Sequence, residues 1–532
     1  MKSEASRLPS RKWSIVALGS AGMAVVILSY LLAVVVALGC MALPYVMFGL
    51  VPIEGANNVV IRLMLSAFGV VAGFTMLRSL IPQKEEFKVN GVRILLSQEP
   101  RLAKEIEAIS TAMREPMPTE VYLLGDANAF VSETGGGMGG SKRRVMGLGL
   151  PLLQMLSIAQ FRAVLAHEFG HYYAGDTRIG PWVYNTRKTL ARTYENLGKN
   201  SPILKMLRRW GIVYLAYSVL MGAMRGYWQI FMRITQAISR RQEFRSDELA
   251  CHIAGSQALI DGLENIRRCQ PVLNSYWNQV VLPVAMSGFA PALADGFGRY
   301  MHLPRIEKAT EDFLKEQIKQ EKPSPFDTHP PLSRRVQRAR EYNLPLPADD
   351  DGSRDTSLPM VSLIDRLPAL EAAMLKKYVP ALAEKELKPL DWSATGSEVY
   401  APRWRNDVVP FQPALAGKTL ADLPGLVANP APIAAMVPNP PNVALTEKQR
   451  AARAFDILFI ATALSLVDNG WTILGKPGTM LFEREGKTVE PGNWIGEIRA
   501  GKMTVEQWAQ VRIENGIGDW ALATQLPTQP ST

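Results

Sequence analysis

The amino-acid sequence predicts a mainly α-helical chain with a small β component and a membrane anchor at its N-terminus. Three observations support this fold class: two long apolar stretches near the N-terminus, helical periodicity in the middle of the chain, and a helix–hairpin–helix pattern near the C-terminus. With 532 residues, the chain can hold more than one domain and can bury a sizeable core.

The apolar stretches predict a transmembrane hairpin over residues 13–82. Residues 1–12 form a short basic tail, and residues 13–53 are uncharged, which exceeds the ~20 residues that a helix needs to cross a bilayer. Residues 59–81 predict a second span, with Arg62 near its start. A cleaved signal peptide does not fit, because its apolar core would be shorter and a second span follows here.

The charges that flank the hairpin predict its orientation. Basic residues precede the first span and follow the second, at Lys84, Lys88 and Arg93, whereas the loop near Glu54 has none. By the positive-inside rule both flanks lie in the cytoplasm, and so does the rest of the chain. If residues 13–53 cross the membrane twice, the rest of the chain lies outside instead.

Charge indicates the kind of partner that the chain binds, and cysteine content indicates its compartment. The net charge of +10 and the pI near 9.4 are compatible with nucleic-acid binding. However, the basic residues are scattered and many flank apolar segments, which fits an anionic membrane surface better, so we expect a lipid bilayer and no nucleic acid as partner. Three cysteines give no disulfide framework, which favours a reducing compartment or a membrane-embedded setting.

The motif that carries chemistry is H-E-x-x-H, from His167 to His171. It stands in a predicted helix that begins with a capping box of Ser157 and Gln160. Positions i and i+4 share one face of a helix, so the two imidazoles can bind a single cation. Glu168 projects nearby without coordinating the ion, where the general base of a zinc hydrolase belongs. The alternative is a chance match on a surface helix.

A zinc hydrolase needs a third protein ligand, and a second predicted helix offers one. Glu243 and Asp247 stand four residues apart in this helix, so both carboxylates share a face. One can bind zinc while the other orients a ligand imidazole by a hydrogen bond. The alternative is a solvated acidic pair beside Arg240, Arg241 and Arg245, and it would be preferred without the H-E-x-x-H motif.

These motifs in this order resemble those of the HtpX-type membrane zinc metallopeptidases. Relatives of that family are the CAAX prenyl endopeptidases and the mitochondrial inner-membrane stress proteases. The pentapeptide is followed by E-F-R-S-D from Glu243 and by D-T-H-P-P from Asp327. A fourth match is Asn128-Ala-Phe130, followed by a glycine-rich turn and a strand-like segment at 144–150. The resemblance covers roughly residues 85 to 340.

The resemblance implies one Zn²⁺ per chain, bound by His167, His171 and Glu243, with Glu168 as the general base. It also implies that His329 helps to stabilise the tetrahedral intermediate. In this family the corresponding strand lies beside the active-site cleft. The expected fold is therefore a zincin-like metallopeptidase domain, mainly α with a small β-sheet that edges the cleft, in a bacterial inner membrane. Asp247 is expected to orient a ligand from outside the metal shell.

Substrate backbone is expected to pair with the strand that contains Asn128, Ala129, Phe130 and Val131. Specificity would then depend on accessible extended segments, which unfolded or membrane proteins provide, and membrane protein quality control is the expected role. The glycine-rich turn at 135–140 is longer than usual in the family, so we expect a flexible cleft edge. It does not fit a phosphate-binding loop, which requires G-K-[ST] at its end.

Two other functions stay open. A prenyl-protein processing protease would use the same chemistry, but that family usually encloses its site in more transmembrane spans than the two predicted here. A catalytically inactive membrane scaffold could keep zinc for structure alone. Retention of Glu168 argues against the scaffold, because a structural zinc site needs no base.

The apolar segment at 210–224 lies between the two metal motifs and is constrained by them. Both ligand helices must reach one ion, so the intervening chain crosses the membrane an even number of times. The segment has 15 apolar residues, or ~22 Å of helix, less than the ~30 Å hydrocarbon core. Residues 172–209 are too charged to supply a second crossing. We therefore expect a helix that lies against the membrane or covers the cleft.

The chain changes character after the expected peptidase domain at 83–345. Residues 346–445 predict a loop or linker region, because residues 349–355 are typical of an exposed loop and residues 395–445 are rich in proline, asparagine and alanine. Residues 446–532 predict a small α+β module, with capping boxes at Thr446 and Thr504 around a hairpin near 482–489. No motif in this module carries chemistry, and it is expected to bind a protein partner or to restrain the protease.

Overall fold

The structure is a computed structural model, and it describes the chain outside ten segments. These are residues 1–12, 51–55, 82–87, 135–142, 174–179, 199–210, 322–328, 348–354, 441–443 and 523–532. The glycine-rich turn at 135–140 therefore lies outside the described residues, as do Asp327 and Thr328 of the D-T-H-P-P motif.

Helices predominate, and those of eight residues or more are labelled in chain order. They are α1 (Trp13–Met41), α2 (Ala56–Leu80), α3 (Pro100–Ala112), α4 (Ile158–Tyr173), α5 (Gly180–Gly198), α6 (Gly211–Ala254), α7 (Ser256–Ser275), α8 (Leu293–Met301), α9 (Pro304–Gln320), α10 (Leu332–Tyr342), α11 (Leu367–Tyr378), α12 (Ala401–Val408), α13 (Glu447–Asp468), α14 (Pro491–Arg499) and α15 (Val505–Glu514). Shorter α-helices are Leu43–Tyr45, Leu150–Met155, Leu282–Met286, Gln412–Leu415, Leu423–Ala428 and Ala431–Ala435.

The strands are short and form three small sheets. They are β1 (Gly91–Ile94), β2 (Glu120–Leu124), β3 (Ala129–Thr134), β4 (Arg143–Gly149), β5 (Phe289–Pro291), β6 (Lys388–Leu390), β7 (Thr472–Lys476), β8 (Thr479–Arg484) and β9 (Lys487–Val489). The sheet orders are β1-β2-β4-β3, β5-β6 and β7-β8-β9. The predicted fold class, mainly helical with a small sheet, is confirmed.

The chain divides into two compact units. The first unit comprises residues 1–268 and 311–365, and the second comprises residues 269–310 and 366–532. The first contains both N-terminal helices, the four-stranded sheet and the H-E-x-x-H helix α4.

The N-terminal hairpin of the first unit has the length and polarity of a membrane anchor. Met23–Leu50 and Val59–Leu80 are both helical, long and apolar enough to cross a bilayer. Helices α1 and α2 pack at close range, since a Cβ atom on Gly69 or Gly73 would collide with a carbonyl oxygen of α1. This G-x-x-x-G contact is typical of transmembrane helix pairs. Large apolar side chains of α1 such as Leu28 stay exposed, as a lipid-facing surface requires.

The segment expected as a short separate helix at 210–224 is instead the beginning of α6. Residue 210 lies outside the described residues, and from Gly211 the helix runs 44 residues without a break, or ~66 Å. Its first half packs along the anchor, where Tyr217 contacts the cluster around Phe68. In the sequence, Arg225 with Gly222 and Gly226 on either side resembles the end of a helix. The helix continues because its packing on α1, α2 and α5 outweighs the ~1 kcal/mol by which each glycine destabilises a helix.

A segment that follows α10 in the chain provides hydrogen-bond acceptors for the N-terminus of α4. We call residues 355–365 the strap. The first backbone N–H groups of a helix have no partner within it, and here Ile158 N–H donates to Leu358 O (2.9 Å) and Ala159 N–H to Thr356 O (3.0 Å). The third donor, Gln160 N–H, is bound by the Ser157 hydroxyl at 3.2 Å, as the predicted capping box requires. The start of α4 is therefore fully hydrogen-bonded.

The second unit corrects the expectation of a linker over 346–445. Much of this range is helical, and Trp404, Leu415 and Leu423 are buried in one apolar core with residues of α13 and α14. Several prolines of this range stand in the first turns of helices, namely α11, α12, Leu423–Ala428 and Ala431–Ala435. Proline is tolerated there because the first N–H groups of a helix have no intrahelical acceptor.

The second unit also buries one carboxyl group, that of Glu371. Its Oε1 accepts a hydrogen bond from Ala294 N–H (2.7 Å) at the start of α8. Burial raises the pKa of Glu371 to about 7, although hydrogen bonds from Ala294 and Leu293 act in the opposite direction. The folded pKa thus lies above the ordinary value, so this group stabilises the fold below pH ~4.3 and loses that contribution as the pH rises through 7.

We expect Glu371→Gln to remove a pH-dependent loss of stability in the second unit. Between pH 5 and pH 8 the wild type should lose stability on the order of 3 kcal/mol relative to the variant. Thermal unfolding followed by tryptophan fluorescence at the two pH values measures this difference. Exposed Glu386→Gln is the matched control. Parallel pH profiles for the wild type and Glu371→Gln would contradict the assignment.

Candidate metal centre

The metal centre begins with the two histidines of α4. His167 is buried and His171 is partly exposed, and their ring centroids lie 4.9 Å apart at an interplanar angle of 83°. The i, i+4 spacing places both rings on the same face, as the sequence predicts. Glu168 stands between them in sequence and is half-buried.

Helix α6 brings Glu243 to these histidines. Glu243 Oε2 lies 3.5 Å from His167 Nε2, and Glu243 Oε1 lies 3.7 Å from His171 Nε2. The close approach of the two helices depends on Gly170 of the H-E-x-x-H motif, where a Cβ atom would stand 2.9 Å from Ser246 Cα. A larger residue at position 170 would push α6, and Glu243 with it, away from the histidines.

The three side chains fit a metal ion. One ligand atom from each of His167, His171 and Glu243 lies within 4.8 Å of the others. Glu243 Oε2 is buried and has no hydrogen-bond partner among the described residues, although buried polar atoms are almost always paired. A cation bound by these residues would satisfy that oxygen. Two imidazoles and one carboxylate are the donor set of several catalytic zinc sites.

Asp247 contacts the ligand candidate His167, and Arg335 in turn binds Asp247. Asp247 is fully buried, and its Oδ1 lies 3.0 Å from His167 Nδ1. Arg335, from α10, binds Asp247 through two parallel hydrogen bonds, Nη2 to Oδ1 at 2.6 Å and Nε to Oδ2 at 2.9 Å. Sequence reasoning found Asp247 but missed Arg335, because 88 residues separate the pair. The sequence signal that could have indicated this partner is the position of Arg335, six residues after His329 of the D-T-H-P-P motif.

Mutual attraction fixes the charges of this group. Burial and Arg335 lower the pKa of His167, but hydrogen bonds to Asp247 and Glu243 outweigh them and raise it to about 9. Burial raises the pKa of Asp247, yet Arg335 outweighs it and holds this pKa at about 2. For Glu243, burial raises the pKa, but the nearby imidazoles of His167 and His329 and the guanidinium of Arg335 outweigh it and keep the pKa well below its ordinary value. Both carboxylates therefore stay ionised and favour a cation.

His329 lies beside the cluster, in front of α10. Its Nδ1 is 2.8 Å from Glu243 Oε1, and its side chain is 58% exposed. The structure thus brings His329 next to Glu243, another of the predicted site residues. His252 and His302 do not belong to the group of described residues that could hold a metal ion.

The predicted substrate strand lies at an edge of the four-stranded sheet. In the described sheet β3 pairs only with β4, and it also packs against α4. Asn128 O accepts a hydrogen bond from Gly149 N–H (2.8 Å), so these two residues form a hydrogen-bonded pair of the antiparallel ladder. In an antiparallel pair every second residue bonds to the partner, so Ala129 and Val131 direct their N–H and C=O groups away from β4.

Comparisons with known proteins place the chain in a family. Residues 96–343 match peptidase family M48. "Protease HtpX" of Pseudomonas entomophila (strain L48) is 30% identical over 234 residues, which cover 42% of this chain and 76% of that protein. The chain belongs to peptidase family M48. "Protease HtpX" of Pseudomonas fluorescens (strain SBW25) is 26% identical over 306 residues, covering 55% of this chain and 91% of its own length.

A solved structure, described as the crystal structure of S. mikatae Ste24p, is also similar. It is 15% identical, covers 61% of this chain and 67% of its own, and has a TM-score of 0.27. The predicted resemblance is confirmed by the family match and the relatives. The M48 chain is a membrane-anchored metallopeptidase.

We expect Arg335→Gln to weaken metal binding and to destabilise the first unit. Breaking a buried ion pair costs roughly 3–5 kcal/mol, and loss of a partner that orients a ligand typically lowers metal affinity ~10–100-fold. Zinc titration against a competing chelator, together with thermal unfolding, measures both effects. Exposed Arg334→Gln is the matched control on the same helix. Wild-type zinc affinity in Arg335→Gln would contradict the role.

Proposed function

We propose that this M48 chain is a zinc endopeptidase in which His167, His171 and Glu243 bind one Zn²⁺ and Glu168 is the general base. The observation that carries the proposal is the cluster of these two imidazoles with a buried carboxylate oxygen, Glu243 Oε2, that accepts no hydrogen bond from the described residues. Glu168, which a purely structural zinc site would not need, directly follows the ligand His167 in the sequence. This also disfavours the inactive scaffold.

The residues of the chain divide the chemical work. A zinc ion held by His167, His171 and Glu243 would supply Lewis acidity for the scissile carbonyl and would make water easier to deprotonate. Glu168 takes the proton from the attacking water and delivers it to the leaving amine. Asp247 Oδ1 accepts a hydrogen bond from His167 Nδ1–H, which fixes the tautomer and leaves Nε2 to bind metal. Arg335 holds Asp247 in place.

His329 supplies a further positive or hydrogen-bonding group. Its exposed side chain reaches the cluster from the solvent side, next to Glu243. A hydrogen bond from this imidazole to the oxyanion that forms during attack would stabilise the tetrahedral intermediate more than the substrate.

The edge strand β3 offers the place for a peptide. Ala129 and Val131 direct backbone donors and acceptors away from β4, and an extended peptide can pair with them as an added strand. Backbone pairing recognises extended chain rather than particular side chains. Unfolded or damaged membrane proteins present such segments, so we propose them as substrates and membrane protein quality control as the role.

The site is proposed to face the cytoplasm. Basic residues precede the first span and follow the second, whereas the loop between the two spans has none. Helices α5 and α6 both pack along α1 and α2. This packing supports an even number of membrane crossings between His171 and Glu243, which would keep both ligands on one side. The expected protein partner of the C-terminal module has no support from the comparisons and stays a prediction.

Glu168→Gln should abolish cleavage of an unfolded protein such as casein while zinc remains bound. The substitution removes the base and leaves all three ligands in place. Metal content and cleavage are measured on the same purified sample, with Glu243→Ala as the comparison that should lose zinc at limiting metal. Cleavage by Glu168→Gln at the wild-type rate would show that another group is the base.

A single cysteine at exposed Lys104, in a chain without Cys40, Cys251 and Cys269, tests the orientation. An impermeant thiol reagent should label it only after the cells are permeabilised, because α3 belongs to the cytoplasmic part of the first unit. A cysteine in the short loop near Glu54 is the control and should react in intact cells. The reverse pattern would place the peptidase outside.

A further inference from the structure

Arg144 joins three parts of the first unit through one buried side chain. It stands on β4, is 7% exposed, and lies directly opposite Glu133 of β3 in the ladder. Its Nη2 donates to Glu133 Oε1 (2.8 Å) and to Glu115 Oε2 (3.0 Å), while Nη1 donates to Pro116 O (2.8 Å). The end of the β3–β4 hairpin nearest its connecting loop is thus tied to the chain that follows α3.

The same guanidinium also contacts the metal helix. Arg144 Cζ lies 4.3 Å from the ring centroid of Tyr172, which directly follows the histidine His171. Tyr172 is buried, and a cation over a desolvated aromatic face is a strong contact of this kind. One side chain therefore links the edge strand β3 to the end of α4 that carries the second histidine.

We infer that Arg144 is a positioning residue that sets the distance between the substrate-binding edge of β3 and the metal cluster. The inference rests on the proposed function, in which a peptide pairs with β3. The ion pairs and the Tyr172 contact then hold β3 against α4.

Arginine is required for this arrangement because of its shape. Its planar group presents several donors in a fixed fork and a flat face, so it can bind two carboxylates and a carbonyl while it stacks on a ring. Lysine keeps the charge but offers a single ammonium. Arg144→Lys should therefore preserve the charge of the cluster and release β3 from α4.

Kinetics of a fluorogenic peptide taken from casein test the inference. Arg144→Lys and Tyr172→Leu should each raise KM about fivefold or more, whereas kcat should stay within about twofold and the zinc content should be unchanged. Tyr172→Phe keeps the aromatic face and should restore the wild-type KM. Arg143→Lys is the matched control, since the neighbouring Arg143 is 62% exposed and contacts Glu120 instead.

The result that overturns the inference is a wild-type KM in both Arg144→Lys and Tyr172→Leu. A fall in kcat at constant KM also overturns it, because Arg144 would then act on the metal helix and not on substrate binding. If Arg144→Lys does not fold, Glu133→Gln, which changes a partly exposed partner, takes its place. Failure of the proposed function is separate: it appears as undiminished cleavage by Glu168→Gln, whatever the KM values are.

Discussion

The structure of the first unit depends on the burial of two carboxylates on one face of α6. Glu243 and Asp247 are both removed from water, and an isolated buried charge would cost several kcal/mol. Each is compensated from another part of the chain: Asp247 by Arg335 of α10, and both by His167 of α4. This requirement forces three helices that are distant in sequence to meet at one point, and the metal cluster lies at that point.

Features that arise from local sequence were predictable. Two capping boxes of the second unit, at Thr446 and Thr504, start α13 and α15 where expected, and the hairpin near 482–489 forms β8 and β9. The H-E-x-x-H helix and its cap belong to the same class. In each case the interacting residues lie within seven positions of each other, so the local sequence contains the whole interaction.

Features that depend on distant partners were not predictable. Nothing near Arg335 indicates that Asp247 needs a counter-ion, and nothing near Arg225 indicates that α6 continues along the anchor. The proline-rich range that resembles a linker is packed because its apolar residues are buried against α13 and α14, and several of its prolines stand in first turns of helices, where they are tolerated. Proline content alone does not distinguish these two outcomes.

The strap makes the start of the H-E-x-x-H helix depend on residues outside the region that matches family M48. That region ends at residue 343, yet the Ile158 and Ala159 N–H groups at the start of α4 donate to the carbonyl oxygens of Leu358 and Thr356. A chain truncated at residue 343 would lose both acceptors and leave these N–H groups to water. The shortest fragment that keeps this helix start intact therefore extends beyond the matched region and includes the strap.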